Sequence, residues 1–165
     1  MSDSNLTILP FDRLSIDPET RALAQEVQRA FYKVRDTDVL VERLLAKIVD
    51  AIPAKRAAVV LPDREPAFEH NTDLIGQATR DHSAILMRQP SVLCAPLRVF
   101  DSDLGAIYVE GTKPSAFTLR HLLLLAAIAV EVAEAIDYAR DVQGLDAEKK
   151  RLQASGRIRK NSKTA

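Results

Sequence analysis

Cys94, His70, His82 and His121 are the thiol and the imidazoles of this 165-residue chain, the groups best suited to holding a metal or attacking a substrate. No histidine has a partner at i, i+4 and none stands near the cysteine, so the spacing offers no metal-ligand set. Cys94 sits in an apolar run, where a lone cysteine is more often a small buried hydrophobe than a reactive thiol. Its being single excludes an internal disulfide. The glycines at 76, 105, 111, 144 and 156 are scattered, so there is no Gly-rich phosphate loop. No serine lies in a nucleophile elbow. The residues that could do chemistry are thus not arranged to do it, and the sequence predicts no enzyme, no cofactor and no metal.

The elements that would carry any site are organised around Ser91–Val142. Two β-rich runs, Val92–Phe100 and Ala106–Glu110, flank Asp101-Ser102-Asp103-Leu104-Gly105, whose residue types suit a hairpin turn. After a turn at Pro114-Ser115 comes Phe117, a cap at Thr118 and a long helix. Its apolar residues Leu122, Leu125, Ala129, Val132, Ala133 and Ile136 face a stripe of Glu131, Glu134, Asp137 and Asp141. Upstream, Asp17-Pro18-Glu19 opens an amphipathic helix carrying Leu23, Val27 and Phe31. Val39–Ala51 reads as a second helix, stopped by Pro53, and 56–61 as a buried central strand. A weak strand at 67–70, a short helix at 72–81 and a marginal strand at 83–87 complete the order. Residues 1–16 read as a flexible segment.

The motifs Ser-Val-Leu-Cys-Ala-Pro-Leu at 91–97, Leu-Gly-Ala-Ile-Tyr-Val-Glu at 104–110 and the Phe-headed helix after them are similar to those of GAF domains, a family of sensory and signalling modules. Val39–Leu61 resembles the family's opening helix, proline break and first strand. The resemblance covers roughly residues 35–142. It implies an α+β, GAF/PAS-like fold: a central antiparallel sheet of five or six strands, helices on both faces and long terminal helices. The division expected is 1–16 flexible, 17–142 GAF-like and 143–165 a basic helical linker or tail. Family members with catalysis or cofactors carry extra signatures. The cyclic-nucleotide Asn-Lys…Phe…Asp-Glu pattern, a chromophore-binding loop cysteine and the several cysteines of sulfoxide-reducing members are all missing. His82, ahead of a strand, could serve as a loop haem ligand, but a surface histidine is the simpler reading.

Any ligand would, by resemblance, lie over one sheet face, between Val59, Leu61, Ile85, Leu93, Ala95, Ile107 and segment 70–82, with His82 and Tyr108 among the polar candidates. The plainer alternative is that these residues pack against one another. Only Arg88-Gln89-Pro90 separate the 83–87 strand from Ser91, too few for the lid helix that many family members place there.

Net charge is zero by cancellation. Residues 149–165 hold seven basic and no acidic residues, +7, leaving −7 elsewhere. A basic end without aromatics reads as a solvated linker rather than a nucleic-acid contact. The longest apolar run, Leu122–Val130, is far below the ~20 residues of a membrane span, and no signal peptide opens the chain; a cytoplasmic location is expected. The reading that results is a non-catalytic regulatory module in transcription regulation, linked to an output domain. Its terminal helices would form a parallel homodimer through Leu23, Val27, Phe31, Leu122, Leu125, Val132 and Ile136. The alternatives are a small-molecule sensor with a closed pocket and a DNA-associated protein using the basic tail.

Overall fold

The computed structural model describes residues 5–31, 34–64, 66 and 68–163, and from residue 157 onward the backbone alone. Strands β1 (Leu6–Pro10), β2 (Arg56–Val60), β3 (Ser83–Met87), β4 (Val92–Val99) and β5 (Ser102–Glu110) form an antiparallel sheet in the order β1-β3-β4-β5-β2. Helices α1 (Pro18–Arg29), α2 (Thr37–Ala51) and α4 (Leu119–Lys163) cover one face. Helix α3 (Thr72–Asp81) covers the other.

The helix starts follow from their caps. Asp17 accepts from the Thr20 amide at 3.1 Å, with Pro18 at the first helical position. Asp36 accepts from the amides of Asp38 and Val39, and Asn71 from that of Leu74 at 3.0 Å. At α4 the cap is reciprocal: the Thr118 amide donates to His121 Nδ1 at 3.0 Å, and Thr118 Oγ1 accepts from the His121 amide at 3.4 Å. Helix α3 ends at His82, whose left-handed φ of 48° closes the last turn.

Helix α4 is the spine of the larger core. Leu122, Leu125, Ile128, Val132 and Ile136 are fully buried against α1, α2 and the sheet residues Leu93, Ala95, Leu97 and Ile107. Buried alanines at 126, 127, 129, 133 and 139 let neighbouring elements approach its backbone closely. From α2 come Leu40, Leu44 and Ile48, and from α1 Ala24 and Val27.

Five expectations need correction. Residues 5–16 are not a free segment: Leu6–Pro10 pairs along β3, from Leu6 opposite Met87 to Pro10 opposite Ser83. An edge strand tolerates the proline that blurred its signal. No strand forms at 68–70, and Ala67 lies outside the described residues; the Phe68 ring turns onto Tyr108 instead. Strand β2 is an edge strand, pairing only with β5. It reads as central because both its faces are covered, Val59 by the helices and Val60 by the α3 side. Strand β3, expected at the margin, lies between β1 and β4. The hairpin turn is also shorter than expected, because Val99 pairs with Ser102 and Arg98 with Asp103, leaving Phe100-Asp101 at the tip.

Gly105 sits where β5 passes β2 with φ +153°, and an added Cβ would lie 2.0 Å from the Val60 carbonyl oxygen. Gly105→Ala should therefore lose more than about 2 kcal/mol in chemical denaturation. Gly144→Ala, where nothing lies within 4 Å of the new Cβ, should gain up to about 1 kcal/mol of helix stability. Equal midpoints for Gly105→Ala and the unmodified protein would show that the strands do not approach this closely.

His121 supplies a second test. Burial lowers its pKa from 6.5, and the charge of Arg120 adds to this. The fold therefore favours the neutral ring, which accepts from Thr118. Above pH 6.5 this costs nothing; as pH falls further the unfolded chain takes up the proton more readily and stability is lost until the folded pKa is passed. Melting temperature should drop less between pH 7 and pH 5 in His121→Gln than in the unmodified chain. Parallel curves would remove His121 from the pH response.

Candidate functional site

The sheet has two faces, and side chains alternate between them. On the α3 side, Ile85, Val92, Cys94, Ala106 and Tyr108 form a second buried cluster with Leu74 and Ala78 of α3. Cross-strand pairing stacks three of these in one row: Ile85 opposite Cys94, and Cys94 opposite Tyr108. Phe68, Ile75 and Met87 close its rim. Strands β3 and β4 are joined through Arg88-Gln89-Pro90 with a cis Gln89–Pro90 bond, and no helix is inserted there.

The polar groups of this face gather at one end. The Asn71 amide donates to Tyr108 Oη at 3.2 Å, and the His70 ring meets Tyr108 edge-on with centroids 6.1 Å apart. Arg56 lies 4.2 Å over the Phe68 ring and donates from Nε to Glu110 Oε2 at 2.6 Å. The guanidinium thereby uses a carboxylate and an aromatic face at once. Burial raises the Tyr108 pKa, opposed by the hydrogen bond from Asn71 and reinforced by Glu110. The phenol is held neutral and aimed at the segment that leads into α3. Burial alone pushes the Cys94 thiol up to about 12, so at neutral pH it is not a thiolate.

This arrangement divides the expected pocket residues. Ile85 and Tyr108 lie on the α3 face, whereas Val59, Leu61, Leu93, Ala95 and Ile107 belong to the core beneath α1, α2 and α4. The correction has a simple cause: Ile107 is the cross-strand partner of both Val59 and Ala95, and Ile107 adjoins Tyr108, so the two must point oppositely. His82 stands at neither face. It caps α3, and its ring packs against Arg98, which also reaches Asp101 at 3.6 Å and Asp103 at 3.9 Å. Of the other residues of this cluster, Ala106 follows from Tyr108 by the two-residue strand period and Cys94 only from the β4–β5 register, while Leu74 and Ala78 lie in the 70–82 segment already expected there.

The expected dimer face is likewise internal. Val27, Phe31, Leu122, Leu125, Val132 and Ile136 are buried within the chain, and only Leu23, 42 % exposed, remains at the surface. The apolar excess of α4 is taken up by α1 and α2 rather than left for a partner. Two open grooves lie away from the α3 face. One of about 750 Å³ runs between α1 and α4, lined by Gln28, Arg29, Phe31, Arg35, Glu134, Ala135 and Tyr138. The other, about 440 Å³, is polar and is lined by the ion pairs Arg64–Asp38 and Arg140–Asp63 with Thr37 and Gln143.

The chain belongs to the GAF domain family, whose model matches residues 7–136. GAF domains are regulatory or sensory modules. No curated protein matches the sequence. Among solved structures, the chain is similar to a free methionine-R-sulfoxide reductase from Neisseria meningitidis in complex with its substrate, at a TM-score of 0.63 and 12 % identity, over 78 % of this chain and 96 % of that one. It is also similar to the GAF domain of an Acinetobacter phosphoenolpyruvate-protein phosphotransferase, with TM-score 0.59, 12 % identity and coverage of 77 % and 98 %. The GAF domain of the Escherichia coli potassium sensor histidine kinase KdpD gives TM-score 0.59, 16 % identity and coverage of 74 % and 96 %. At these identities the likeness establishes the fold. No helix among the described residues is long and apolar enough to cross a membrane.

The thiol supplies the test of this face. A pKa moved from 9.0 to about 12 lowers the thiolate fraction at pH 8 by about a thousandfold, and full burial adds to that. Cys94 in the folded chain should react with a disulfide reagent at least that much more slowly than in urea. Rapid labelling of the folded chain would mean that the α3 face opens readily.

Proposed function

We propose that this chain is a non-catalytic regulatory module whose output is the position of α4, that it self-associates along that helix, and that it controls a linked output domain in transcription regulation. The observation that carries this reading is the double role of α4. Its first five turns are the core of the domain, and it continues as helix to Lys163, with every side chain from Gln143 to Gly156 exposed. A packing change in the core cannot leave the projecting half where it was, because the two are one rigid element. The inert thiol and the filled α3 face support a role without catalysis. The ion pair Arg140–Asp63, at 3.1 Å, ties α4 to the turn after β2 and so joins the sheet to the lever.

A second reading, a small-molecule sensor, is favoured by one feature: the cluster of Tyr108, His70, Asn71, Phe68 and Arg56 at the end of the α3 face. A ligand there would displace Phe68 or α3, since the space is already packed.

The lever reading is tested by joining the chain to a transcriptional reporter and inserting one to four residues after Ala147. Each inserted residue turns everything beyond it by about 100°. Reporter output should rise and fall with the number inserted. Output indifferent to phase would reduce the projecting helix to a passive tether. A thermal-shift screen addresses the second reading, because a ligand at 100 times its Kd raises stability by about 2.7 kcal/mol. Such a hit, abolished in Tyr108→Ala, would make the module a ligand sensor.

A further inference from the structure

The projecting half of α4 carries its own apolar row. Among the described residues, the last hydrogen-bonded or ionic contacts between this helix and the body are Arg140 to Asp63 at 3.1 Å and the Thr37 amide to Gln143 Oε1 at 3.3 Å. From Gln143 to Gly156 every side chain is exposed. Tyr138, Leu145 and Leu152, exposed by 52 %, 69 % and 60 %, recur every seven residues along this stretch. A bare helix of this length is marginal in water; a two-stranded coiled coil has two seam positions per heptad, and here Tyr138, Leu145 and Leu152 fill one of them while Val142 and Lys149 fall at the other.

Charge decides which way the second strand runs. Residues 131–148 hold six acidic residues against Arg140, a net −5, and residues 149–165 hold seven basic residues and no acid, +7. A parallel pairing in register lays +7 beside +7 and −5 beside −5, and it sets the two Lys149 ammonium groups facing each other across the seam. Reversing one strand about Leu145 lays residues 149–159, net +5, beside residues 131–141, net −3, while Asp146 and Glu148 stay near their own copies and Arg140 lies level with Lys150. Leu145 then meets its own copy, Tyr138 lies level with Leu152, Asp141 with Lys149 and Glu131 with position 159. At Glu134 and Ala135 the second copy presents Gly156 and Ser155, small enough to enter the open groove between α1 and α4. Unlike charges opposite each other stabilise a helix pair and like charges oppose it by similar amounts, so the two orientations differ by the sum of both.

We infer that a second copy of this chain docks antiparallel on the exposed Tyr138–Leu145–Leu152 stripe of α4, its basic end lying along the acidic stretch of the first. This rests on the proposed self-association along α4 and corrects its orientation. Each output end then lies beside the body of the other copy.

The test uses the full chain with Tyr138→Cys and Leu152→Cys prepared separately. Both positions are exposed, and the native Cys94 is buried and silent; melting curves confirm that each variant folds. Mild oxidation of an equimolar mixture should give the mixed 138–152 disulfide as the main product, with little dimer from Leu152→Cys alone. Dominant 152–152 and 138–138 products would overturn the orientation while leaving self-association standing. A monomer by light scattering at tens of micromolar, with no disulfide formed, would overturn both. Salt gives an independent sign: raising it should weaken the unmodified dimer on the order of tenfold, and strengthening on added salt would mean that like charges had been facing each other. A chain that stays monomeric yet binds duplex DNA with steep salt dependence would also overturn the inference, by giving the basic end a polyanionic partner.

Discussion

The fold depends on one contact surface: the first half of α4 against the sheet face of β3, β4 and β5. Leu122, Leu125, Ile128, Val132 and Ile136 are fully buried there, and burying each side chain of this size contributes about 2 kcal/mol. Nothing else on that side could replace them. Helix α1 reaches the core mainly by packing on α4, and α2 covers β2 beside it. The alanines between the large residues set how closely α1 can lie. The helix that holds the core is also the helix that projects beyond it.

The opposite face is built differently. A single ten-residue helix, α3, covers it, and the space beneath is filled by Leu74, Ala78, Cys94 and Tyr108. The short β3–β4 connection contributes no wall or lid. What polarity the face has is concentrated where Asn71 meets Tyr108 and where Arg56 bridges Glu110 and Phe68. That arrangement holds the segment before α3 against the sheet. It is a fastening between loop and strand as much as a recognition surface, and its groups already satisfy one another.

Electrostatics adds a feature that net charge conceals. The chain sums to zero, yet α4 is acidic along its middle and basic at its end. Inside the domain the acidic residues are spread over exposed faces and exposed pairs such as Arg120–Glu19 at 3.2 Å, which contribute little. Beyond the body, apolar residues are few and charged side chains dominate the exposed helix.

How much of this was legible in the sequence follows from the range of the interactions. Asp17, Asp36, Asn71 and Thr118 cap helices through contacts within three residues, so the starts of α1, α2, α3 and α4 were written locally. The β4–β5 hairpin and the family motifs that run through it were legible for the same reason. Strand β1 was not, because it is held by pairing with β3 some eighty residues away and by the packing of Leu6 and Leu9 against the two clusters. Neither was the edge position of β2, since two covered faces give an edge strand the composition of a central one. The faces of Val59, Leu93, Ala95 and Ile107 were assigned to a pocket because apolar character marks burial without marking direction; only the register with Tyr108 decides that. The apolar stripe of α4 showed in the same way that something must cover it. Tertiary structure alone determined that α1, α2 and the sheet of the same chain do so.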